Sequence, residues 1–215
     1  MIVVTETFMS IQGESTFAGL PCFFIRLAGC NLKCHYCDTK YSRNITDGKE
    51  TEISKLVDSV LREKVSLVEI TGGEPMTQKN VLELCKKLIA EKLTVLMETN
   101  GSLSLSSLPV EVIRILDCKT PSSGEHLKMD FSNYTSLRPS DEIKFVISDY
   151  DDYKYALAII SRYKLFEKTS RLLFSPAWGK IKIPDLCEWM LRDKVPARLQ
   201  LQMHKYIWGP DKKGV

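Results

Sequence analysis

The sequence predicts an α/β fold in which about six parallel strands form a partial, incomplete TIM-type barrel with helices outside it. Short runs of apolar and β-branched residues alternate with longer amphipathic stretches, which is typical of β-α-β units with right-handed crossovers. The runs are almost continuously apolar, as expected of strands buried on both faces. The chain has 215 residues. This length suits a single domain over residues 1–215, but falls short of the about 250 residues of a closed barrel.

Seven runs are predicted to be strands: Cys22–Ala28, Leu67–Thr71, Leu93–Glu98, Val112–Asp117, Ile143–Ile147, Arg171–Phe174 and Arg198–Gln202. Four stretches place apolar residues at helical spacing, and we predict helices there: Ser54–Arg62, Asn80–Glu91, Asp151–Arg162 and Pro184–Arg192. Two stretches rich in Ser, Gly and Pro are predicted to be loops: Ser102–Pro109 and Lys119–Arg138.

Charge and hydropathy exclude several classes of partner. The net charge is +3, from 30 basic and 27 acidic side chains that are scattered along the chain. This is too mild to predict nucleic-acid binding. No apolar run approaches the ~20 residues that cross a bilayer. The first residues lack the basic segment of a signal peptide. We therefore expect a cytoplasmic protein with neither a nucleic acid nor a membrane as its partner.

The cysteines point to a metal site. There are seven in the chain, and three of them fall within eight residues, as Cys30, Cys34 and Cys37. An odd, clustered set fits a reducing compartment better than a disulfide framework. The triplet directly follows the first predicted strand, at the end where parallel α/β proteins bind ligands. Structural zinc usually has four protein ligands, and His35 would have to fold back sharply to be one.

Three cysteines suit a [4Fe–4S] cluster in which one iron stays open to a substrate or cofactor. A structural zinc knuckle and three unrelated buried thiols remain as alternatives. A second motif, Gly72-Gly73-Glu74-Pro75, follows the second predicted strand. Its glycines allow the main chain to approach a ligand closely, and its carboxylate can accept from an ammonium group.

Together the two motifs resemble the radical SAM superfamily, whose members use S-adenosyl-L-methionine (SAM). The resemblance implies that Cys30, Cys34 and Cys37 bind the cluster and that SAM chelates the open iron, so that its reductive cleavage yields a 5′-deoxyadenosyl radical. Tyr36 would pack beside the adenine. The residues that the resemblance assigns to SAM are Tyr36, Cys37, Asp38, Gly73, Glu74, Asp117, Cys118, Lys119, Ser175, Pro176, Ala177 and Trp178.

Within that superfamily, Ser10–Ser15, Phe24–Cys30 and Cys37–Thr39 make the chain similar to the family of 7-carboxy-7-deazaguanine synthases. The similarity extends to Glu98–Gly101 and Gln202–Lys205 and covers almost the whole chain. It implies a lyase that converts 6-carboxy-5,6,7,8-tetrahydropterin to 7-carboxy-7-deazaguanine and ammonia in queuosine or 7-deazapurine biosynthesis. Hydrogen abstraction at C6 and a Mg²⁺-assisted ring contraction would carry the reaction.

The same resemblance implies a homodimer, Mg²⁺ on Thr39, and an electron donor such as flavodoxin or ferredoxin. Arg26 would bind the substrate carboxylate as a fork, and Gln12 and Glu14 would meet the pterin edge. Pro210 matches a substrate-touching position, although five residues follow it here. The substrate residues are expected to be Ile11, Gln12, Gly13, Glu14, Arg26, Thr71 and His204. No residue is marked as the general base.

Three other readings remain open. A glycyl-radical activating enzyme would need a groove for a partner protein, and such enzymes often carry further cluster cysteines. The other four, Cys22, Cys85, Cys118 and Cys187, are widely spaced and are expected to be buried small hydrophobes. An electron-transfer protein would need four cluster ligands, and a zinc-stabilised module would bind colourless metal.

Overall fold

A nine-stranded mixed sheet carries the fold in a computed structural model that describes residues 1–215. Its strands are β1 (Ile2–Ile11), β2 (Pro21–Leu27), β3 (Lys49–Thr51), β4 (Leu67–Gly72), β5 (Thr94–Thr99), β6 (Ile113–Cys118), β7 (Glu142–Ile147), β8 (Leu172–Pro176) and β9 (Arg198–Leu199). The α-helices are α1 (Ile53–Glu63), α2 (Val81–Ala90), α3 (Tyr150–Tyr163), α4 (Ile183–Arg192) and α5 (Met203–Trp208).

The strands lie in the order β3-β1-β2-β4-β5-β6-β7-β8-β9. All neighbours from β2 to β9 are parallel, while β1 runs antiparallel to both β2 and β3. The two edge strands, β3 and β9, do not pair, so the sheet curves without closing. The prediction of a partial barrel with six main parallel strands is confirmed.

The six long parallel strands and the four long helices occur where the sequence predicts them. The seventh predicted strand shrinks to Arg198–Leu199, and the two predicted loops contain no α-helix. Three elements were missed. The apolar run of β1 is interrupted by Thr5, Glu6 and Thr7, β3 has only three residues, and α5 is too short to show a helical period. None of the helices has the length and apolar composition needed to cross a membrane.

Each parallel strand presents one face to the helices and the other to the barrel lumen, because successive side chains alternate. In β4, Val68 and Ile70 join the main core, whereas Glu69 between them turns inward. In β7, Ile143 and Phe145 pack outward and Lys144 turns inward. A smaller apolar cluster closes the lower lumen and consists of Cys22, Phe24, Leu67, Leu96 and Ile115. Charged side chains therefore lie above an apolar plug.

Candidate active site

A cavity of about 510 Å³ opens at the carboxyl ends of the parallel strands and reaches down into the lumen. Most residues expected at the site line it: Cys30, Cys34, Tyr36, Cys37, Asp38, Thr39, Gly73, Asp117, Lys119, Ala177, Trp178, Ile11, Gln12, Gly13, Glu14, Arg26, Thr71 and His204. Four expected residues do not line it: Glu74, Cys118, Ser175 and Pro176. Pro210 also lies at the wall.

The loop that carries Cys30, Cys34 and Cys37, here called the cysteine loop, is fixed by main-chain hydrogen bonds to distant segments. Cys30 N donates to Arg43 O at 2.8 Å, and His35 N donates to Ser123 O at 3.0 Å. Lys33 N donates to Glu125 Oε1 at 2.8 Å. Ser123 and Glu125 belong to the loop after β6, which the sequence marks only by its Ser, Gly and Pro content. This loop therefore holds the cysteine loop in place by hydrogen bonds.

The three thiols suit a cluster better than a single ion. No group of three His, Cys, Asp or Glu side chains is placed to bind one metal ion, whereas a cubane takes each thiolate to a different iron. Burial raises the pKa of the Cys34 thiol to about 11, and the nearby Cys37 and Cys30 add to that rise. Leu32 N donates to Cys30 Sγ at 3.5 Å and Asn100 Nδ2 does so at 3.8 Å. Hydrogen bonds of this type tune the potential of a cluster.

The paired glycines after β4 are required by close packing against the end of β2. Gly72 has φ +135°, and a Cβ on Gly72 or Gly73 would collide with the main chain of Leu27 or Gly29. Gly73 N donates to Leu27 O at 3.0 Å, and Glu74 N donates to Gly29 O at 2.7 Å. The sequence explains the two glycines by a close approach to a ligand. The structure shows that they are also needed for the main chain to pack against Leu27 and Gly29, just before the cysteine loop.

Glu74 differs from the expectation that its side chain binds the amino group of SAM. It is fully buried and accepts hydrogen bonds from Met76 N (3.0 Å), Thr99 Oγ1 (2.8 Å) and Asn100 N (2.7 Å). Both carboxylate oxygens are therefore engaged within the chain. In this geometry Glu74 connects the end of β4 to the end of β5 by hydrogen bonds. Gly73 lines the cavity, whereas Glu74 does not.

The other three residues are buried within the strands that carry them. Cys118 follows Asp117 in β6 and so turns outward into the main core. Ser175 and Pro176 are buried inside β8, and the cavity wall begins only at Ala177, after the strand. Of the four residues Ser175–Trp178 that the resemblance assigns to SAM, only Ala177 and Trp178 line the cavity.

Asp117 offers an acceptor to the cavity. Its Oδ2 binds Lys119 Nζ at 2.8 Å, while its buried Oδ1 has no hydrogen-bond partner in the chain. Burial alone would lower the pKa of Lys119, but Asp117 beside it raises that pKa above its ordinary value. Lys119 also lies 6.0 Å from the centre of the Tyr36 ring. An unpaired buried acceptor beside an aromatic ring fits a nucleoside with hydroxyl donors.

Arg26 lies at the wall with its terminal nitrogens available. Its Nε donates to Glu6 Oε1 at 2.8 Å, and Tyr41 Oη donates to the same oxygen at 2.8 Å. The guanidinium carbon is 5.9 Å from the centres of the Phe8 and Tyr41 rings. The side chain is thus oriented by its own strand neighbours, while its Nη atoms can bind a carboxylate in a fork.

A buried charge network that sequence reasoning missed crosses the lumen. Lys144 Nζ donates to Glu14 Oε2 at 2.8 Å and to Glu98 Oε1, and lies 3.8 Å from Asp117 Oδ2. Burial would raise the pKa of Glu14, but Lys144 and His204 hold it down at about 2. The available signal was a charged residue within three of the apolar runs, because Glu69, Glu98 and Lys144 all alternate with core residues and so turn to the lumen.

A second missed pair lies lower in the lumen. Gln12 Oε1 accepts from Glu14 N at 3.1 Å, and Gln12 Nε2 donates to Glu69 Oε2. Burial, and to a lesser extent the nearby Glu98, raises the pKa of Glu69 to about 8. Gln12 therefore contacts another protein side chain rather than only facing the cavity.

The chain end forms the remaining wall. Met203 N donates to Gly13 O at 2.9 Å, and a Cβ on Gly13 would collide with His204. Gln202 Nε2 donates to Glu14 Oε1 at 3.0 Å, and Lys205 Nζ donates to Asp38 Oδ2 at 2.7 Å. Helix α5 thus links the loop after β1 to the cysteine loop and places His204 at the site.

A partial barrel with three thiols after its first parallel strand and Gly-Gly-Glu after the next defines a radical SAM protein. The model of the Radical SAM superfamily accordingly matches residues 24–117. The 7-carboxy-7-deazaguanine synthase of Koribacter versatilis is 40% identical, over 99% of both chains. That of Chlorobaculum tepidum is 41% identical, over 99% of this chain and 96% of its own.

Among solved structures, QueE from Escherichia coli matches with a TM-score of 0.74 at 23% identity and covers 94% of both chains. This likeness shows that the fold is shared. The match to the superfamily model and the full-length relatives together place the chain within the radical SAM enzymes. The chain belongs to the 7-carboxy-7-deazaguanine synthase family.

Proposed function

We propose that this lyase converts 6-carboxy-5,6,7,8-tetrahydropterin to 7-carboxy-7-deazaguanine and ammonia, in queuosine or related 7-deazapurine biosynthesis. One observation carries the proposal. A single cavity joins the three thiols to Arg26 and to the hydrogen-bonding groups of the lumen. That arrangement suits a small, planar, carboxylated substrate that reacts next to the three thiols. We call this part of the cavity, at the carboxyl ends of the strands, the cysteine end.

Cys30, Cys34 and Cys37 would hold the [4Fe–4S] cluster, and Tyr36, Gly73, Asp117, Lys119, Ala177 and Trp178 lie where they can contact SAM. When bound, the cluster and SAM supply the one-electron chemistry that starts the reaction. The unpaired Asp117 Oδ1 is an acceptor for a hydroxyl of the nucleoside. Asp38, paired with Lys205, closes the wall beside them.

The chain's own residues then bind and orient the substrate. The Nη atoms of Arg26 would bind its carboxylate, because Glu6 engages only Nε. The Thr39 hydroxyl, 3.7 Å from Cys37 Sγ, would hold Mg²⁺ together with oxygens of the substrate and waters. Thr71 and His204 would contact the ring system from β4 and from α5. Residues of the chain end, among them Gln202, Lys205 and Pro210, line the same cavity.

We expect the protein to act in the cytoplasm as a homodimer that receives electrons from a flavodoxin or a ferredoxin. The mild, mixed surface charge supports a protein donor rather than nucleic acid as the partner. Exposed Tyr206, Ile207 and Trp208 on α5 give an apolar surface on which a protein could dock.

The test is an anaerobic assay of protein reconstituted with iron and sulfide, supplied with SAM, Mg²⁺, a reductant and 6-carboxytetrahydropterin. Mass spectrometry should detect 7-carboxy-7-deazaguanine with the wild type and none with Cys34→Ala. Omission of Mg²⁺ should lower the rate. SAM cleavage to 5′-deoxyadenosine without that product would contradict the substrate assignment and favour a glycyl-radical activating enzyme.

A further inference from the structure

Glu69 is a buried carboxyl group at the lower end of the cavity that the mechanism above does not use. Its exposed fraction is 4%, and it lines the cavity. Its only hydrogen bond within the chain comes from Gln12 Nε2. Buried carboxyl groups normally have a cation or several donors as partners, so an acid with a single neutral donor requires an explanation.

The orientation of Gln12 is settled by its other contact. Its amide oxygen accepts from the main-chain N–H of Glu14 at 3.1 Å. Its Nε2 must therefore point to Glu69, where it occupies Oε2. Glu69 Oε1 has no partner in the chain, and it belongs to a residue that lines the cavity. One face of the carboxyl is fixed, and the other is open to a ligand.

The neighbouring charges do not neutralise Glu69. Lys144, the cation at this level, hydrogen-bonds Glu14 and Glu98 instead. Glu14, which was expected to face the pterin edge, already accepts from Lys144 and Gln202 on its two oxygens. Glu69 is therefore the lumen carboxyl with the most hydrogen-bonding capacity left for a ligand.

The chemistry of the substrate indicates what would meet it; this step rests on the proposed function. The reaction occurs at C6, which carries the carboxylate and must lie near the cysteine end. The pyrimidine ring, with its 2-amino and N3–H donors, is the opposite end of the bicycle. Glu69 lies two residues below Thr71 on the same face of β4, about 6.6 Å further from the cysteine end. The donor edge thus points toward Glu69.

We propose that Glu69, oriented by Gln12, binds the 2-amino and N3–H groups of the substrate and is a specificity-determining residue of this enzyme. In an ionised carboxylate Oε1 has both lone pairs free and Oε2 keeps one beside Gln12, so Glu69 can accept from both groups, and these two donors favour its ionised form. A ring that lacks the 2-amino group would leave this acceptor unpaired in a buried place, which is a strong basis for rejection.

The test compares two ligands on two proteins. The holoenzyme, with cluster and SAM, is titrated anaerobically with 7-carboxy-7-deazaguanine and with the analogue that lacks only the 2-amino group. We expect the wild type to bind the analogue roughly 10- to 100-fold more weakly. Glu69→Gln keeps an acceptor for Gln12 but presents an N–H group to the ligand. It should bind both compounds with similar, weak affinity, while its SAM affinity stays within about threefold.

Glu142→Gln is the matched control. Glu142 is a fully buried carboxyl at the start of β7 that accepts from Thr16 N at 3.0 Å and does not line the cavity. This variant should keep the wild-type preference for the 2-amino compound. A Glu69→Gln protein that still prefers that compound as the wild type does would overturn the proposal, and so would an equal loss in Glu142→Gln.

Product formation separates the two levels of inference. A wild type that makes 7-carboxy-7-deazaguanine but binds both compounds equally refutes only the role of Glu69. A wild type that makes no product and binds neither compound refutes the proposed function, and the role of Glu69 with it.

Discussion

The two ends of the cavity satisfy their polar groups in different ways. At the cysteine end, the thiols receive only long contacts from Leu32, Asn100 and Thr39. In the lumen, Lys144 and Glu14 bond to each other and to further side chains. The upper residues are therefore arranged for what they bind, and the lower ones largely for one another. A substitution at the upper end should reduce activity with little loss of stability, whereas one in the lumen should reduce both.

The largest effect is expected at the cysteine end. Cys34→Ala removes one of the three thiols that we propose bind the cluster, so iron absorbance and product formation should both be lost. The midpoint of urea unfolding of the iron-free protein should shift little. Cys85→Ala is the control, because Cys85 is fully buried in the core and away from the cavity. It should keep the cluster and lose about 1 kcal/mol of stability.

Lys144→Met should affect both stability and activity. The substitution leaves Glu14 and Glu98 without their shared cation, and breaking a buried ion pair destabilises by about 3–5 kcal/mol. Urea unfolding measures the stability, and steady-state kinetics measure an expected fall in kcat/KM. Lys144→Arg, which keeps the charge, should recover part of both. A variant with wild-type stability and reduced activity would show that the ion pairs of Lys144 with Glu14 and Glu98 do not stabilise the fold.

Glu74→Gln tests to which of the two regions this residue belongs. The amide can accept at one position only, so one of the donors Met76 N, Thr99 Oγ1 and Asn100 N loses its partner. An unsatisfied buried group costs about 1–3 kcal/mol, and SAM affinity should change less than threefold. Unchanged stability with a tenfold loss of SAM affinity would instead place the side chain on the cofactor. Calorimetric titration of SAM and urea unfolding distinguish the two results.

The difference between the two ends also explains what the sequence could predict. The cysteine loop and the paired glycines each lie within a few consecutive residues, so their spacing alone points to their chemistry. The contact between Lys144 and Glu14 joins residues 130 positions apart, and nothing local marks it. Glu69 is one charged residue within the apolar run Leu67–Thr71. Its partner, Gln12, could not be identified from the sequence, since their contact depends on how the loop after β1 folds back.

Strand alternation accounts for one further difference, because it turns Cys118, next to the cavity residue Asp117, into the main core. Ser175 and Pro176 are instead covered because they lie within β8, before the cavity wall begins at Ala177. Helix α5 has too few residues to show a helical period in the sequence. The match of Gln202–Lys205 to the family pattern predicted a role at the site but not a helix. The fold was thus predictable from local runs, and the cysteine end from local motifs. The lumen required the tertiary structure.

The last expected effect is a pH dependence of stability that arises in the lumen and is spread over three pH units. The pKa of Glu69 is raised from 4.5 to about 8 in the folded protein. Between these values the folded state holds a proton that the unfolded state has released, so the free energy of unfolding falls as pH rises. The groups that face Glu69 are Glu98 from β5, Glu14 from the loop after β1, Lys144 from β7 and Cys22 from β2.

Glu69→Gln removes this titration. The stability of the variant relative to the wild type should therefore increase between pH 5 and pH 8, by up to about 3 kcal/mol. Glu14, with its pKa lowered to about 2, adds stability that is lost only as pH falls below about 4.5. His204 titrates in both proteins, so neither group disturbs the difference. Urea unfolding of the two iron-free proteins at pH 5, 6, 7 and 8 measures it. If the stability difference between the two proteins does not change with pH, Glu69 is ionised in the folded protein and its charge is neutralised by the other groups of the lumen.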